Sequence, residues 1–297
     1  MESSLQAQLQ NAPQIKNVLK RLNVSFQLHD GRKVDTLLVY LPCLEDSKTS
    51  HDALFECIKN GILQNFVFSY REIQKKLGTL SDSAMEDLFV KATKKLSTHT
   101  AKGELGELIL FTLLDVYIGA PKLLSKISMK TNPRMPVYGA DAVHGQFLGD
   151  EFRVYLGESK LHKNFKSAAS DATTSIVSAK NKFEDEFYLL DSYIDFPNLT
   201  SELEDKILKS LNPYNDDLSE KIHSPCFIGF TQPDILFQDE KAYLEHYTKL
   251  SCEYIGDFYI KAEKLDLDIN EVTLLMLPFG CVDVLVKEFI SYMGITK

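Results

Sequence analysis

The sequence lacks the signals of a secreted or membrane-inserted protein. Its 297 residues include no apolar run near the roughly 20 residues that a membrane-spanning helix needs. Residues 1–8 also lack the basic region followed by an apolar stretch that marks a secretory signal. These absences predict a cytoplasmic protein with no membrane partner.

Cysteines are few, and their spacing excludes the common cysteine-based sites. None of the five belongs to a Cys-x-x-Cys pair, and none has histidines at zinc-finger spacing. The cysteines are Cys43, Cys57, Cys226, Cys252 and Cys281. A scattered, odd-numbered set of this kind predicts reduced, mostly buried thiols, which fits the cytoplasm.

An excess of positive charge is also missing, and so is a glycine-rich phosphate loop. The net charge of −9 argues against binding of nucleic acid over the whole surface, because neutralising phosphates requires clustered lysine and arginine. The charge is uneven, however: residues 120–182 hold ten basic and five acidic residues, whereas residues 183–220 hold two basic and eleven acidic ones. A basic stretch beside an acidic one is compatible with a DNA groove flanked by a repelling or partner-binding surface. Solvated helix faces explain the acidic stretch equally well.

The composition is that of an ordinary globular protein, with 44% apolar and 25% charged residues. Residues 1–98 are predicted to form an N-terminal α/β accessory unit. Within it, two β-rich runs at residues 23–28 and 34–41 are separated by Asp30-Gly31, a pair typical of hairpin turns. Two helices are predicted to follow, at residues 70–77 and 83–96.

Residues 99–297 are predicted to form the second and larger part. Apolar residues at helical spacing indicate a helix at 102–117, and three strands are predicted at 123–129, 140–148 and 151–161. The remaining predicted elements are a helix at 165–190, an acidic helix at 202–211, a strand at 225–231, a helix at 240–265, a strand at 272–277 and a helix at 282–293. Helix, three strands, helix and strand in this order predict an α/β sandwich.

The hairpin formed by the second and third of these strands brings two acids together. If Gly149-Asp150 is its two-residue turn, Leu148 pairs with Glu151, and the same register places Asp141 opposite Glu158. Directly opposed residues point to one face, with Cβ atoms roughly 4.5–5.5 Å apart. A shift of one residue would instead send Asp141 to the other face.

Two facing carboxylates at the end of an apolar stripe repel each other and lose hydration, unless a cation neutralises them. Oxygen ligands without thiols or imidazoles predict Mg²⁺, or else Mn²⁺. Lys160 follows Glu158 on the same face, where its ammonium could stabilise a phosphoryl oxygen or, with a lowered pKa, orient and deprotonate water. Metal, acid and lysine together predict hydrolysis of a phosphodiester. The plain alternative is a surface Glu-Lys pair beside an Asp, because Glu-x-Lys is common.

These residues resemble the PD-(D/E)xK nuclease superfamily. The resemblance is carried by Glu107 on a helix, Gly139-Ala-Asp141 on a strand and Gly157-Glu-Ser-Lys160 on the next strand. It implies a PD-(D/E)xK-like core of helix, three-strand meander, helix and strand, with Asp141, Glu158 and Glu107 as metal ligands and Lys160 as a catalytic residue. Ala140 replaces the proline of the superfamily name, a frequent departure. Glu104 is the alternative to Glu107, which is favoured because Gly106 precedes it.

More narrowly, the chain resembles HamA, the nuclease effector family of the bacterial Hachiman anti-phage system. The matching motifs are the Gly-Glu-Leu-Gly-Glu-Leu run from Gly103, the segment from Asn132 to His144, and Tyr155-Leu-Gly-Glu-Ser-Lys160. The resemblance implies DNA cleavage of low sequence specificity, held in check by a superfamily 2 helicase partner (HamB-like). A repair or restriction nuclease of the same fold, or an adaptor that regulates a helicase without catalysis, is the alternative.

Several other polar residues near these motifs are candidates for minor roles. His162 shares the face of Glu158 and is a candidate base, although a structural or phosphate-contacting histidine is more common. Candidate phosphate contacts are Lys163, Lys166, Lys180, Lys182, Asn132 and Arg134.

Overall fold

A computed structural model describes most of the chain. The described residues are 8–9, 11–42, 47–61, 67–68, 89–124, 139–149, 151–184, 188, 200–211, 221–235 and 239–296. The predicted helix at 70–77 and residues 83–88 of the one at 83–96 lie outside these ranges, whereas residues 89–93 are helical as predicted. Asn132, Arg134 and most of the acidic stretch at 183–220 also lie outside them.

One mixed β-sheet organises the described residues. Its strands are β1 (Lys20–Leu22), β2 (Phe26–Gln27), β3 (Lys33–Tyr40), β4 (Lys122–Leu124), β5 (Ala142–Leu148), β6 (Glu151–His162), β7 (Ile222–Thr231) and β8 (Val272–Phe279). Their order across the sheet is β1-β3-β8-β7-β6-β5-β4, with β2 paired to β3. Strands β3, β8, β7 and β6 are parallel to one another, whereas β1, β5 and β4 are antiparallel additions.

Helices cover both faces of this sheet. They are α1 (Ala12–Val18), α2 (Ser47–Gly61), α3 (Ala101–Leu113, continued by a π-helical turn Leu114–Ile118), α4 (Phe165–Asn181), α5 (Ser201–Ser210), α6 (Glu240–Glu263) and α7 (Val282–Met293). One apolar core joins α1, α2, α3 and α7 to one face, and a second joins α4 and α6 to the other. Alternation along β6 therefore sends Leu161 toward α3, whereas Glu158 and Lys160 face α4. None of these helices is long and apolar enough to cross a membrane.

The predicted α/β class and the order helix, three strands, helix, strand are confirmed. The bounds differ mainly at the ends: α4 ends at Asn181 rather than at 190, and the strand predicted at 123–129 is described only up to Leu124. The hairpin in the first hundred residues is also confirmed, with Gly31 at a φ of +85° in its turn. Sequence reasoning missed α1 and α2.

The first hundred residues join the same sheet as the rest of the chain. Strand β3 pairs in parallel with β8, and Leu37 and Val39 of β3 share a core with Leu105 of α3 and Leu275 of β8. The predicted division into units 1–98 and 99–297 stays a prediction, and the two parts are connected through this shared sheet and core.

Candidate active site

The hairpin of β5 and β6 has the register that the sequence predicts. Leu148 pairs with Glu151, and the ladder continues without a break to Ala142 and Gly157. Gly149, at the turn, has a φ of +65°, which glycine adopts without strain; Asp150 lies outside the described residues. The ladder thus leads directly to the two predicted acids, which follow at its open end.

Asp141 lies one residue before β5, just beyond the end of the β5–β6 ladder, beside the part of β6 that β5 no longer pairs with. Its N–H donates to the carbonyl of Gly157 at 2.9 Å, which keeps the backbone in line with the ladder. Its Oδ2 accepts hydrogen bonds from the backbone N–H of Ser159 at 2.8 Å and from the Ser159 hydroxyl at 2.9 Å. The Asp141 side chain thus accepts the Ser159 N–H hydrogen bond that the backbone of a further β5 residue would otherwise accept. These contacts hold Asp141 beside Glu158 and Lys160.

Glu158 is a buried carboxyl in an unfavourable position for a negative charge. Only 6% of the residue is exposed. Burial, together with the nearby charge of Asp141, raises its pKa to about 7, although the Lys160 ammonium and a hydrogen bond with Ser175 of α4 oppose that rise. Burial and the charge of Asp141 therefore both disfavour the ionised form of Glu158.

Lys160 pairs with Glu158 two residues before it on the same face of β6, its Nζ contacting Glu158 Oε1. Burial alone would lower the pKa of this ammonium, but attraction to Glu158 and Asp141 outweighs burial, and the pKa is raised. Of the two roles that the sequence left open for Lys160, the structure favours the charged ammonium that stabilises an anion over the neutral amine that deprotonates water.

Helix α3 crosses the opposite face of β6 at the level of this site. A Cβ added to Gly106 would lie 3.2 Å from the Ser159 hydroxyl, so glycine permits the close approach of helix and strand. One turn further on, Leu110 packs on Gly157 and Ala142, and Phe111 on His144 of β5.

Glu107 lies one turn before Leu110 and Phe111, and helical spacing therefore places it over the residues that precede β5, on the side of Asp141. It is partly exposed. The two acids on α3 thus differ. Glu104 is only 2% exposed, and both of its oxygens accept hydrogen bonds from the turn before the helix. Glu104 Oε1 accepts from the Thr100 hydroxyl at 2.7 Å, and Oε2 accepts from the Ser97 N–H at 3.3 Å.

This difference predicts opposite effects for two similar substitutions. Glu104→Gln replaces a buried acceptor and should lower the free energy of unfolding by about 1–3 kcal/mol, with activity retained below the unfolding transition. Glu107→Gln should leave stability within about 0.5 kcal/mol, because Glu107 is partly exposed, and should reduce activity if Glu107 is the helix acid of the site. Thermal unfolding and nuclease assays on both variants test this, and the reverse pattern would assign the helix acid to Glu104.

The donors at this site fit a hard divalent cation. Carboxylate oxygens suit Mg²⁺ and Mn²⁺, and Mg²⁺ keeps several waters while taking one or two protein carboxylates. A cation beside Asp141 and Glu158 would relieve the burial and repulsion that raise the Glu158 pKa. Within the described ranges, no three or more His, Cys, Asp or Glu side chains lie together as a set able to hold an ion. The assignment of Glu107 as a third ligand therefore stays a prediction.

A comparison with the sequence profiles of known families shows which family this chain belongs to. The sequence profile of one family, HamA, matches residues 13–293, which is nearly the whole chain. The chain belongs to the HamA family. It is accordingly a protein of the Hachiman defence system. A search among curated proteins gave no match.

The two histidines that flank the site of this HamA protein have structural contacts. His144 is buried, its Nδ1 lies 2.7 Å from the carbonyl of Ala120, and burial lowers its pKa to about 3, so it is neutral. His162 Nδ1 contacts the backbone of Asn164, and the Asn164 side chain in turn accepts from Ser167 N–H at the start of α4. These contacts give both histidines a structural role beside the site.

Three of the candidate lysines of this HamA chain form ion pairs with acids on other elements. Lys163 pairs with Asp283 at 2.7 Å, Lys166 pairs with Glu253 at 2.7 Å, and Lys180 pairs with Glu271. The positive charge counted at residues 120–182 is therefore partly neutralised by acids from the C-terminal part of the chain.

Two serines at the HamA site were not singled out from the sequence. Ser159 fixes the Asp141 carboxylate with both its N–H and its hydroxyl, and Ser175 hydrogen-bonds to Glu158 from α4. Ser159 is the middle residue of the Glu-x-Lys motif, and alternation along the strand does mark it as the residue facing α3. Nothing in the sequence pattern connects Ser175 to Glu158, because that contact depends on how α4 packs on the sheet.

Proposed function

We propose that this HamA protein is a Mg²⁺-dependent deoxyribonuclease, the effector of its Hachiman system, which hydrolyses phosphodiester bonds with low sequence specificity. The observation that carries the proposal is the grouping of Asp141, Glu158 and Lys160 where β5 leaves β6. A buried acid whose pKa is raised by burial and by a neighbouring acid, with an ammonium beside it, is a costly arrangement for stability alone. Such arrangements are concentrated at functional sites.

The roles of Asp141, Glu158 and Lys160 in this proposal are supported by their contacts, and that of Glu107 by its place on α3. Asp141 and Glu158 hold the cation, Asp141 from a carboxylate already oriented by Ser159. The bound ion supplies Lewis acidity and a water of lowered pKa. Lys160 carries its charge at the same place and stabilises negative charge on a phosphoryl oxygen. Glu107 approaches from α3 and orients the water shell or completes the ligand set.

The proposal includes control by a partner. We infer that a superfamily 2 helicase subunit (HamB-like) binds this chain in the cytoplasm and restrains cleavage until it meets abnormal or invading DNA. Restraint is needed because a nuclease of low sequence specificity would also degrade the DNA of its own cell. Membership of the HamA family supports the defence setting, and the helicase is part of the proposal.

The test is a cleavage assay on the purified chain with and without its partner. Supercoiled plasmid, linear duplex and single-stranded DNA are incubated with Mg²⁺, Mn²⁺, Ca²⁺ or EDTA. We expect cleavage with Mg²⁺ and Mn²⁺, none with EDTA, and suppression by the helicase subunit. Absence of cleavage under every condition, with the helicase still regulated by the chain, would favour the adaptor. Cleavage confined to one sequence or one lesion would favour a restriction or repair enzyme.

A further inference from the structure

Beyond the end of β6, three lysines surround a single acid. Lys163 Nζ contacts Asp283 Oδ2 at 2.7 Å, with 68% of the lysine side chain and 45% of the aspartate side chain exposed. The charges of Lys102 and Lys287 add to that of Lys163 in lowering the pKa of the Asp283 carboxyl. We call Lys102, Lys163 and Lys287 the lysine cluster. With Asp283 included, these four side chains sum to two positive charges.

The lysine cluster is assembled by three separate elements. Lys163 lies in the loop between β6 and α4, Lys102 in the first turn of α3, and Lys287 one helical turn after Asp283 on α7. Helices α3 and α7 pack against each other, and the charge of Lys102 on α3 reaches the Asp283 carboxyl on α7. Both Lys102 and Lys287 are exposed. Burial therefore does not explain why the three charges converge.

The lysine cluster lies close to the proposed catalytic site. Gly106 of α3 packs over Ser159 and Leu161, and Lys102 is one turn before it, toward the end of β6. Helix α7 begins where the Val282 N–H donates to the Thr231 hydroxyl at the end of β7. Since Lys160 is level with Ile228 on β7, Thr231 lies about 10 Å further along the sheet, a span of about three nucleotides of one DNA strand.

We propose that the lysine cluster binds the phosphates of the DNA a few nucleotides from the cleaved bond, and that Asp283 weakens this binding by competing with phosphate for Lys163. The inference rests on the proposed function, because it assumes a DNA substrate. An ion pair between exposed side chains is weak in water, so a phosphate can replace the Asp283 carboxylate. Asp283 thus keeps the affinity for nonspecific DNA low in a protein that must not attack DNA freely.

The proposal predicts opposite effects for the two charges of one ion pair. In EDTA, where no cleavage occurs, binding of a fluorescein-labelled 30-base-pair duplex and of the matching single strand is measured by anisotropy at several salt concentrations. Asp283→Asn should tighten binding about 3- to 10-fold at about 0.05 M salt. The triple variant Lys102→Gln, Lys163→Gln, Lys287→Gln should weaken it at least about tenfold and reduce the slope of log K against log salt by about two to three.

A matched ion pair far from the site provides the control. Lys20 and Glu240 lie 3.1 Å apart with 42% and 54% of their side chains exposed, and Glu240, like Asp283, is in the first turn of a helix. Lys20→Gln and Glu240→Gln should change DNA affinity less than about twofold. Thermal unfolding checks that all variants are folded; if the triple variant is not, the Asp283→Asn result alone decides.

Two outcomes would overturn the inference: an Asp283→Asn variant that binds DNA no tighter than Glu240→Gln, or a triple variant with the salt slope of the wild type. These outcomes are distinct from failure of the proposed function. A wild type that never cuts DNA, but whose affinity follows the charges of the lysine cluster as expected, would refute the nuclease and leave the binding surface in place.

Discussion

Asp141→Asn and Lys160→Gln are each expected to reduce Mg²⁺-dependent DNA cleavage by at least about 10²- to 10³-fold. Both substitutions remove the charge of the side chain while leaving a polar group of similar size. The amide oxygen introduced by Asp141→Asn can still accept the hydrogen bonds of the Ser159 N–H and hydroxyl, so the edge of β6 should stay as it is. The loss then reports the charge at the site rather than a change of fold.

The measurement is the rate of plasmid nicking under single-turnover conditions, with unfolding temperature recorded for each variant. Asp171→Asn on the exposed side of α4 and Lys264→Gln after α6 remove the same charges from the surface and should retain cleavage within about twofold. Cleavage at the wild-type rate by either Asp141→Asn or Lys160→Gln would show that the catalytic group lies elsewhere in the chain.

The hairpin that carries these residues could be predicted because its determinants are local. The Gly149 turn and the alternation of β6 fix the register of the ladder, and Asp141 and Glu158 follow from that register without knowledge of the rest of the fold. The long elements after residue 99 were predictable for the same reason, since their apolar residues recur at helical or strand spacing over many positions.

What the sequence could not predict depends on contacts between distant segments. The junction of β3 with β8 joins residues more than 200 positions apart, so the first hundred residues looked like a unit of their own. The choice between Glu104 and Glu107 also required coordinates, because two acids three residues apart on a helix have the same pattern. Only the contacts of Glu104 with Ser97 and Thr100 separate them.

The ion pairs of the lysines also could not be predicted from the sequence. A count of charges along residues 120–182 gives a basic stretch, but Glu253, Glu271 and Asp283, which pair with three of its lysines, come from the last fifty residues of the chain. A basic segment in a sequence is therefore a weak guide to a basic surface. Around Asp283 the positive charge remains in excess because Lys102 of α3 and Lys287 of α7 add their charges to that of Lys163.

Glu158→Gln is expected to abolish the proposed DNA cleavage and at the same time stabilise the metal-free protein. The pKa of Glu158 is about 7 in the folded chain and near its ordinary value of 4.5 in the unfolded chain, so the folded state binds more protons between these pH values. Stability from this group is complete below pH 4.5 and is lost as the pH rises through about 7. At about pH 8 the buried carboxylate is a penalty, which glutamine removes while still accepting hydrogen bonds from Lys160 and Ser175.

Thermal unfolding in EDTA from about pH 5 to about pH 8 measures this difference. The variant and the wild type should be nearly equal at about pH 5, and the variant should be more stable by about 1–3 kcal/mol at about pH 8. Mg²⁺ should raise the unfolding temperature of the wild type but not of the variant, since the ion stabilises the state that holds it. Glu104→Gln is the matched control, because that buried carboxylate is fully hydrogen-bonded and its loss should destabilise. A wild type as stable as Glu158→Gln at the upper pH would mean that Glu158 carries no such penalty, and the physical argument for a cation between Asp141 and Glu158 would then fail.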